Sequence, residues 1–324
     1  MNVAIIGCGL IGEKRARSLG NHKLLIVSDK NMERAKTVSQ INSQNALIAE
    51  NWEKAADHPG VDIVIVSTSN DYLTPIGLYA LSHDKHVLIE KPGARNSVEL
   101  EPFYRKSLES GKKVKVGFNL RYHPAILKAK SIADSQGIGE LMFIRGRYGH
   151  GGRVGYDKEW RAKPEISGGG ELIDQGIHLI DLSRFFLGDF EKVDGITATY
   201  FWNMDADDNA FIYLKNSRSR VSWLQVSCTE WKNMFCLEVY GKYGKLQIDG
   251  LGGSYGVEKL SFYKMLPEMG PPETTVWEYP GEDFSWELEF RDFVESIEKN
   301  KPLNGSLNDA YQALKIVDKI YGRI

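Results

Sequence analysis

Gly7, Gly9 and Gly12 stand in a G-x-G-x-x-G spacing directly after an apolar run at residues 3–6. This spacing suits an anion. The first glycine permits a tight turn. The second lets a pyrophosphate approach the backbone of the loop that continues through Leu10 and Ile11. The third lets a helix pack closely on its strand. The N–H groups exposed where that helix begins attract phosphate. Asp29 ends a second apolar run. A carboxylate there accepts hydrogen bonds from both hydroxyls of a ribose and repels a 2′-phosphate, which selects NAD in preference to NADP. Ser28, Lys30 and Arg34 beside it would together accept a phosphate and keep NADP open.

Three further stretches carry groups that could hold a substrate or move a proton. Lys91 follows the apolar run of "HVLIEKP", where open α/β sheets bind ligands, although position alone does not separate it from a surface lysine. In "GGGELIDQGIHLIDL", Asp174 and His178 are four apart and share a face if the segment is helical, with Asp181 three beyond. A histidine beside a carboxylate is suited to proton transfer, and a core histidine is the competing reading. Gly168, Gly169 and Gly170 would let the backbone approach a ligand. Residues 149–170 form a long irregular loop with His150, Arg153, Tyr156, Trp160 and Arg161. Its arginines suit a carboxylate or phosphate, or are solvated loop residues.

Elements that would position these groups follow from the pattern. In the first part, apolar runs at residues 3–6, 24–27, 61–66, in "HVLIEKP" and in "KVKVGFN" alternate with helical stretches such as 13–19 and 75–82. That is a parallel sheet with helical crossovers, a doubly wound Rossmann domain over residues 1–120. Residues 121–324 read as an α+β domain with a large, open, mostly antiparallel sheet, built from "LMFIRGRYGH", "VDGITATYFWN", "AFIYLKN", "RVSWLQVSC", "MFCLEVYG" and "GKLQIDG". A helix spans "ELIDQGIHLIDLSRFFLG", and two amphipathic helices close the chain, able to pack back on the first domain. The sheet carries Tyr200, Trp202, Trp223, Phe235 and Tyr240, which either join its core or meet a second subunit.

Composition narrows the class. Forty-one basic residues against 43 acidic give a formal net charge of −2, which excludes the basic bias of a nucleic-acid or membrane-surface binder. No apolar run is long enough to span a membrane. The chain enters a strand without the cationic region and cleavage site of a secretory signal. Cys8, Cys228 and Cys236 are odd in number and fit no zinc pattern, so a reducing cytoplasm and no metal are expected.

Along almost its whole length the chain resembles the glucose–fructose oxidoreductase / inositol dehydrogenase / MocA family. The stretches that carry the resemblance are the glycine motif, "STSNDY", "KHVLIEKP", "VGFNLRYHP", "IGELMFIRGRY", "EWRAKP", "GGGELIDQGIHLIDL" and "EFRDFVESIEKNKP". The resemblance implies that Lys91 lies near nicotinamide and substrate, that Asp174 binds substrate and that His178 transfers the proton. It places Ser67, Thr68, Ser69, Asn70, Glu90, Asn119, Trp160 and Arg161 beside the cofactor, and Arg121, Tyr148, Arg153 and Tyr156 beside the substrate. It also implies a homodimer or homotetramer formed through the open sheet face. Leu73 departs from the family, which often has histidine there.

The implied activity is hydride transfer between NAD and a secondary alcohol or ketone of a sugar, cyclitol or nucleotide-linked sugar. Arg145, Arg147 and Arg153 raise the question of an anionic substrate. Two other readings stand beside it. A tightly held NAD could serve an oxidation–elimination or hydrolysis cycle, or the fold could be a non-catalytic dinucleotide sensor.

Overall fold

In the computed structural model, which describes residues 1–41 and 45–324, the first apolar run becomes β1 (Asn2–Ile6) at the centre of a six-stranded sheet. The chain runs on through α1 (Leu10–Arg17), β2 (Lys23–Ser28), α2 (Met32–Ser39), β3 (Leu47–Ile48), α3 (Trp52–Ala56) and β4 (Ile63–Val66). Then come α4 (Asn70–Ser82), β5 (His86–Ile89), α5 (Ser97–Glu109) and β6 (Val114–Val116). The strand order is β3-β2-β1-β4-β5-β6 and every pairing is parallel. This is the doubly wound order whose switch point lies beside the first strand. All four residues of β4 are buried, as a strand covered on both faces requires.

Side chains start several of the helices. Asn31 accepts from the N–H groups of Glu33 and Arg34, Asn51 from Lys54 and Asn96 from Glu99. The edge strand β3 is two exposed residues long, too short for a periodic signal, so the sequence reading passed over it. Likewise α4 begins at Asn70, with Pro75 inside it, because Ser69 supplies the extended cap.

One compact unit consists of Met1–Asn119, Glu165–Gly168 and Trp286–Gln312. Its core gathers Val3, Ile5, Ile63, Ile65 and Leu88 of the sheet with Phe290, Phe293 and Val294. The last three lie on α9 (Ser285–Glu298), a helix set down here as the second last.

The other unit consists of Leu120–Pro164, Gly169–Ser285 and Ala313–Ile324. It holds α6 (Pro124–Asp134), β7 (Leu141–Gly149), α8 (Ile177–Leu187) and β8 (Lys192–Ala198). The remaining strands are β9 (Asn209–Lys215), β10 (Val221–Ser227), β11 (Met234–Gly241), β12 (Gly244–Asp249), β13 (Glu258–Lys264) and β14 (Glu273–Tyr279). The short α7 (Pro164–Ser167) falls mostly in the first unit, and the residues of the terminal α10 (Leu307–Ile320) are divided between the two. The eight strands run β14-β13-β12-β11-β7-β10-β9-β8. All pairs are antiparallel except β7 with β10, which is parallel.

Strict alternation gives this sheet two faces. Ile144, Leu224, Leu237, Leu246 and Leu260 are buried on one. Arg145, Trp223 and Glu238 share the other in one register row. Trp223 is 58 % exposed, whereas Phe235, grouped with it in the sequence reading, is 3 % exposed and belongs to the inner side. The strands β13 and β14 were not foreseen.

Candidate active site

In the first unit the glycine motif is shaped by contacts. Gly7 has φ +94°, and a Cβ on it would lie 2.5 Å from the Ser67 carbonyl oxygen. A Cβ on Gly12 would lie 2.0 Å from the Gly7 oxygen, whereas one on Gly9 would meet nothing within 4 Å. Gly9 is the extended residue before α1, and no side chain caps the first turn. An open space in front of uncapped N–H groups fits a phosphate. Leu10 and Ile11 open the helix beyond it.

Asp29 is fixed at the end of β2. Its Oδ2 accepts the Cys8 N–H at 2.6 Å and its Oδ1 the Asn31 N–H at 2.7 Å. Each oxygen retains a lone pair for a ribose hydroxyl. Burial and then the Asp29 charge push the Cys8 thiol up to about 12, so it stays protonated. The Lys30 ammonium sits 4.0 Å from the Tyr72 ring centroid, and the Arg34 N–H serves the α2 cap.

After β4, the Ser67 hydroxyl donates to the Gly7 carbonyl at 2.7 Å and Ser69 donates to Asp71 at 2.6 Å. The Thr68 hydroxyl donates to the Ser69 carbonyl at 3.2 Å. Asn70 is buried, with its amide on the Ser167 carbonyl at 2.7 Å. Leu73, at the position where relatives often have histidine, is fully buried. Asn119 is buried just past β6.

The Glu90 side chain is engaged within its own unit. Its carboxylate accepts from Arg15 Nε at 2.7 Å, and Arg15 also donates to Glu289 at 2.6 Å beneath the Trp286 ring. Burial opposes charge on Arg15, yet Glu90 and Glu289 outweigh it and raise its pKa. Burial also raises Glu289 against the pull of Arg15 and Lys115. Glu90 therefore ties α1 to the end of β5, from which the next residue, Lys91, follows. The turn beyond is held by Thr74, whose hydroxyl donates to the Gly93 carbonyl at 2.9 Å.

In the second unit, the segment expected to be plain α-helix opens with a π-helical turn, Leu172–Gly176, before α8. Such widened turns recur at functional sites. Asp207 holds its start, accepting the N–H groups of Gly170 at 2.9 Å and Leu172 at 2.8 Å and the Tyr321 hydroxyl at 2.6 Å. A Cβ on Gly170 would lie 1.9 Å from the Asp207 oxygen and one on Gly169 2.3 Å from the Tyr321 hydroxyl. The glycine run thus makes room for this chain's own residues rather than for a ligand. In the first unit Gly168 likewise lies against the Arg95 backbone.

Asp174, on the π turn, accepts from Arg161 Nε at 3.2 Å, and Arg161 stacks on Trp160 at 4.4 Å. His178 is buried, 6.1 Å from the Tyr148 ring, which also packs on Phe235 and Tyr255. Burial, then Tyr255 and Asp174, hold the Tyr148 phenol well above its ordinary pKa. The unit therefore brings Tyr148, Trp160, Arg161, Asp174 and His178 to one end of the sheet.

Three more of the expected substrate-side residues have partners within the unit. The Arg121 guanidinium forks onto Asp181 at 2.8 and 2.5 Å, buried under Phe185. This pair ties the segment before α6 to α8. The Tyr156 hydroxyl donates to the buried Glu171 at 2.8 Å. Arg153, largely exposed, clamps Glu159 at 2.7 and 2.6 Å. Glu171, Asp207 and Tyr255 escaped the sequence reading. Glu171 resembled an ordinary acid at a helix start, and nothing local marks the other two.

Among the described residues no helix is long and apolar enough to cross a membrane, and no group of three or more His, Cys, Asp or Glu could hold a metal.

Comparison with known proteins places this arrangement. Residues 1–118 match an oxidoreductase family with an NAD-binding Rossmann fold, and residues 126–247 match the GFO/IDH/MocA C-terminal domain. Levoglucosan dehydrogenase of Pseudarthrobacter phenanthrenivorans is 26% identical over 212 residues, 62% of this chain. The chain spans about half of that relative's length, 54%. Inositol 2-dehydrogenase of Salmonella paratyphi B is 23% identical over 331 residues, covering 98% of this chain and 92% of the relative. A solved levoglucosan dehydrogenase in complex with NADH superposes with a TM-score of 0.90 at 21% identity, over 100% of this chain and 96% of that one. The chain belongs to the GFO/IDH/MocA family of oxidoreductases, with an NAD-binding Rossmann fold at its N-terminal side.

Proposed function

We propose that this oxidoreductase oxidises a ring secondary alcohol of an uncharged sugar or cyclitol with NAD, or reduces the corresponding ketone. The observation that carries this reading is the cluster at the π turn, where Asp174, Arg161, Tyr148 and His178 set hydrogen-bonding groups among aromatic rings. Rings beside polar groups suit the alternating C–H and O–H surface of a polyol. The named relatives act on levoglucosan and inositol, both ring polyols. Arg145, Arg147 and Arg153 face Glu238, Glu230 and Glu159, which favours a neutral substrate over an anionic or nucleotide-linked one.

NAD, when bound, supplies the hydride acceptor. Gly7, Gly9, Gly12 and Asp29 would hold it. His178 removes the hydroxyl proton, Asp174 fixes a neighbouring hydroxyl, and the Lys91 ammonium stabilises alkoxide character on the reacting oxygen. The protein works in the cytoplasm as a dimer or tetramer. The outer face of the eight-stranded sheet, with Ile196, Phe211 and Trp223 exposed, supports that assembly.

The test is His178→Asn, assayed with inositol and levoglucosan by net NADH formation. Turnover should fall by about 10²–10⁴ with NAD affinity unchanged. Unchanged turnover refutes the base assignment. A wild type that binds NAD but forms no net NADH with any polyol refutes the dehydrogenase reading.

A further inference from the structure

The loop at residues 150–163 has little regular structure, yet it is tied down at several points within its own unit. Gly152 N–H donates to His150 Nδ1 at 3.0 Å, which leaves Nε2 to carry the proton toward Glu171 Oε1, 3.5 Å away. The Tyr156 hydroxyl donates to the same oxygen at 2.8 Å. Arg153 and Glu159 clamp the loop across itself, and its far end reaches Asp174 through Arg161. A single carboxylate oxygen thus receives both the start and the middle of the loop.

Glu171 is 1 % exposed. Other ionisable groups around it are the Cys228 thiol, Asp174 and Asp207, and Arg153 acts on His150. Burial and then Glu171 push the Cys228 thiol up beyond reach of ionisation. Two further carboxylates nearby make a third one costly to bury. A neutral acceptor would satisfy the tyrosine as well at lower cost. The charge is used by the imidazole: burial opposes protonation of His150, Glu171 and Asp174 favour it, and the balance raises its pKa.

We propose that Glu171 is a positioning residue for the substrate, which fixes the loop at residues 150–163 through Tyr156 and His150 and thereby sets the Arg161–Asp174 contact that orients the polyol. The substrate part rests on the function proposed above, whereas the anchoring part does not.

Glu171→Ala, Glu171→Gln and Tyr156→Phe are compared with the wild type by hydrogen–deuterium exchange and by steady-state kinetics with inositol or levoglucosan. Glu171→Ala should speed exchange in residues 150–163 and leave the strands of the sheet protected. It should raise the polyol KM about ten-fold or more and leave the NAD KM within about two-fold. Glu171→Gln keeps an acceptor for Tyr156 and should restore most loop protection, while the His150 titration seen by NMR moves to lower pH. Unchanged exchange in the loop overturns the proposal. So does a loss of protection spread over the whole sheet with both KM values altered alike, which marks a residue of the fold alone. Should Glu171→Ala not fold, Tyr156→Phe decides, with faster loop exchange expected and unchanged exchange overturning. Exchange is read without turnover, so a wild type inactive on polyols refutes the proposed function and leaves the anchoring test intact.

Discussion

Gly12 approaches Gly7 so closely that a Cβ on Gly12 would stand 2.0 Å from the Gly7 carbonyl oxygen, while Gly9 between them faces open space. The two glycines should therefore fail differently. Gly12→Ala forces backbone apart and should cost about 1–3 kcal/mol or more, lowering Tm with or without dinucleotide. Gly9→Ala should fold with a Tm close to wild type and weaken NAD binding about ten-fold or more, because its methyl occupies the phosphate's space. Thermal shift with and without NAD separates the two.

Asp29 is held by the Cys8 and Asn31 N–H groups, so its charge is placed rather than mobile. Asp29→Ala should lower NAD affinity about ten-fold and narrow the NAD over NADP preference. The partly buried Cys8 N–H it leaves behind should also cost about 1 kcal/mol of stability, whereas the exposed Asn31 N–H turns to water. Titration with both dinucleotides checks the first effect and urea unfolding the second.

Arg15 is 1 % exposed between Glu90 and Glu289. Arg15→Met leaves two buried carboxylates without their cation, and should cost about 3–5 kcal/mol. Arg153→Ala breaks a pair of similar geometry at the surface and should cost less than about 1 kcal/mol. Denaturant midpoints of the two variants compare these directly.

His86 accepts the Lys113 N–H on Nδ1 at 3.0 Å. Burial, then Lys112, lower its pKa from 6.5 to about 4. The unfolded chain takes up this proton first as pH falls. The stability contribution is therefore fully present above pH 6.5 and is lost as pH falls toward 4. His86→Gln removes that dependence, so its unfolding free energy should fall less between pH 7 and pH 4 than the wild type's.

Much of the first unit could be read from the chain because a parallel strand buried on both faces is apolar at nearly every position and several helices begin at a capping asparagine. The two-residue β3 has no period to detect. Gly7, Gly9 and Gly12 were legible because each position answers to a local geometric need. Glu171 and Asp207 were not, since their partners lie far along the chain or in an irregular loop. The partners of Arg121, Glu90 and Tyr156 within the chain were hidden for a related reason. A long polar side chain near a site looks the same in sequence whether it meets a ligand or a buried counterpart, and here Asp181, Arg15 and Glu171 are those counterparts.

The single parallel pairing in the second sheet, β7 with β10, has a consequence for assembly. On one side of β7 lie β10, β9 and β8, and on the other β11 through β14. Each group zips up locally as a meander, but neither joins the other except across β7, which emerges from the ribosome before both. This strand is the keystone of two arches. Its closure with β11 spans a long stretch of chain, so this pairing costs more loop entropy than the hairpins on either side of it.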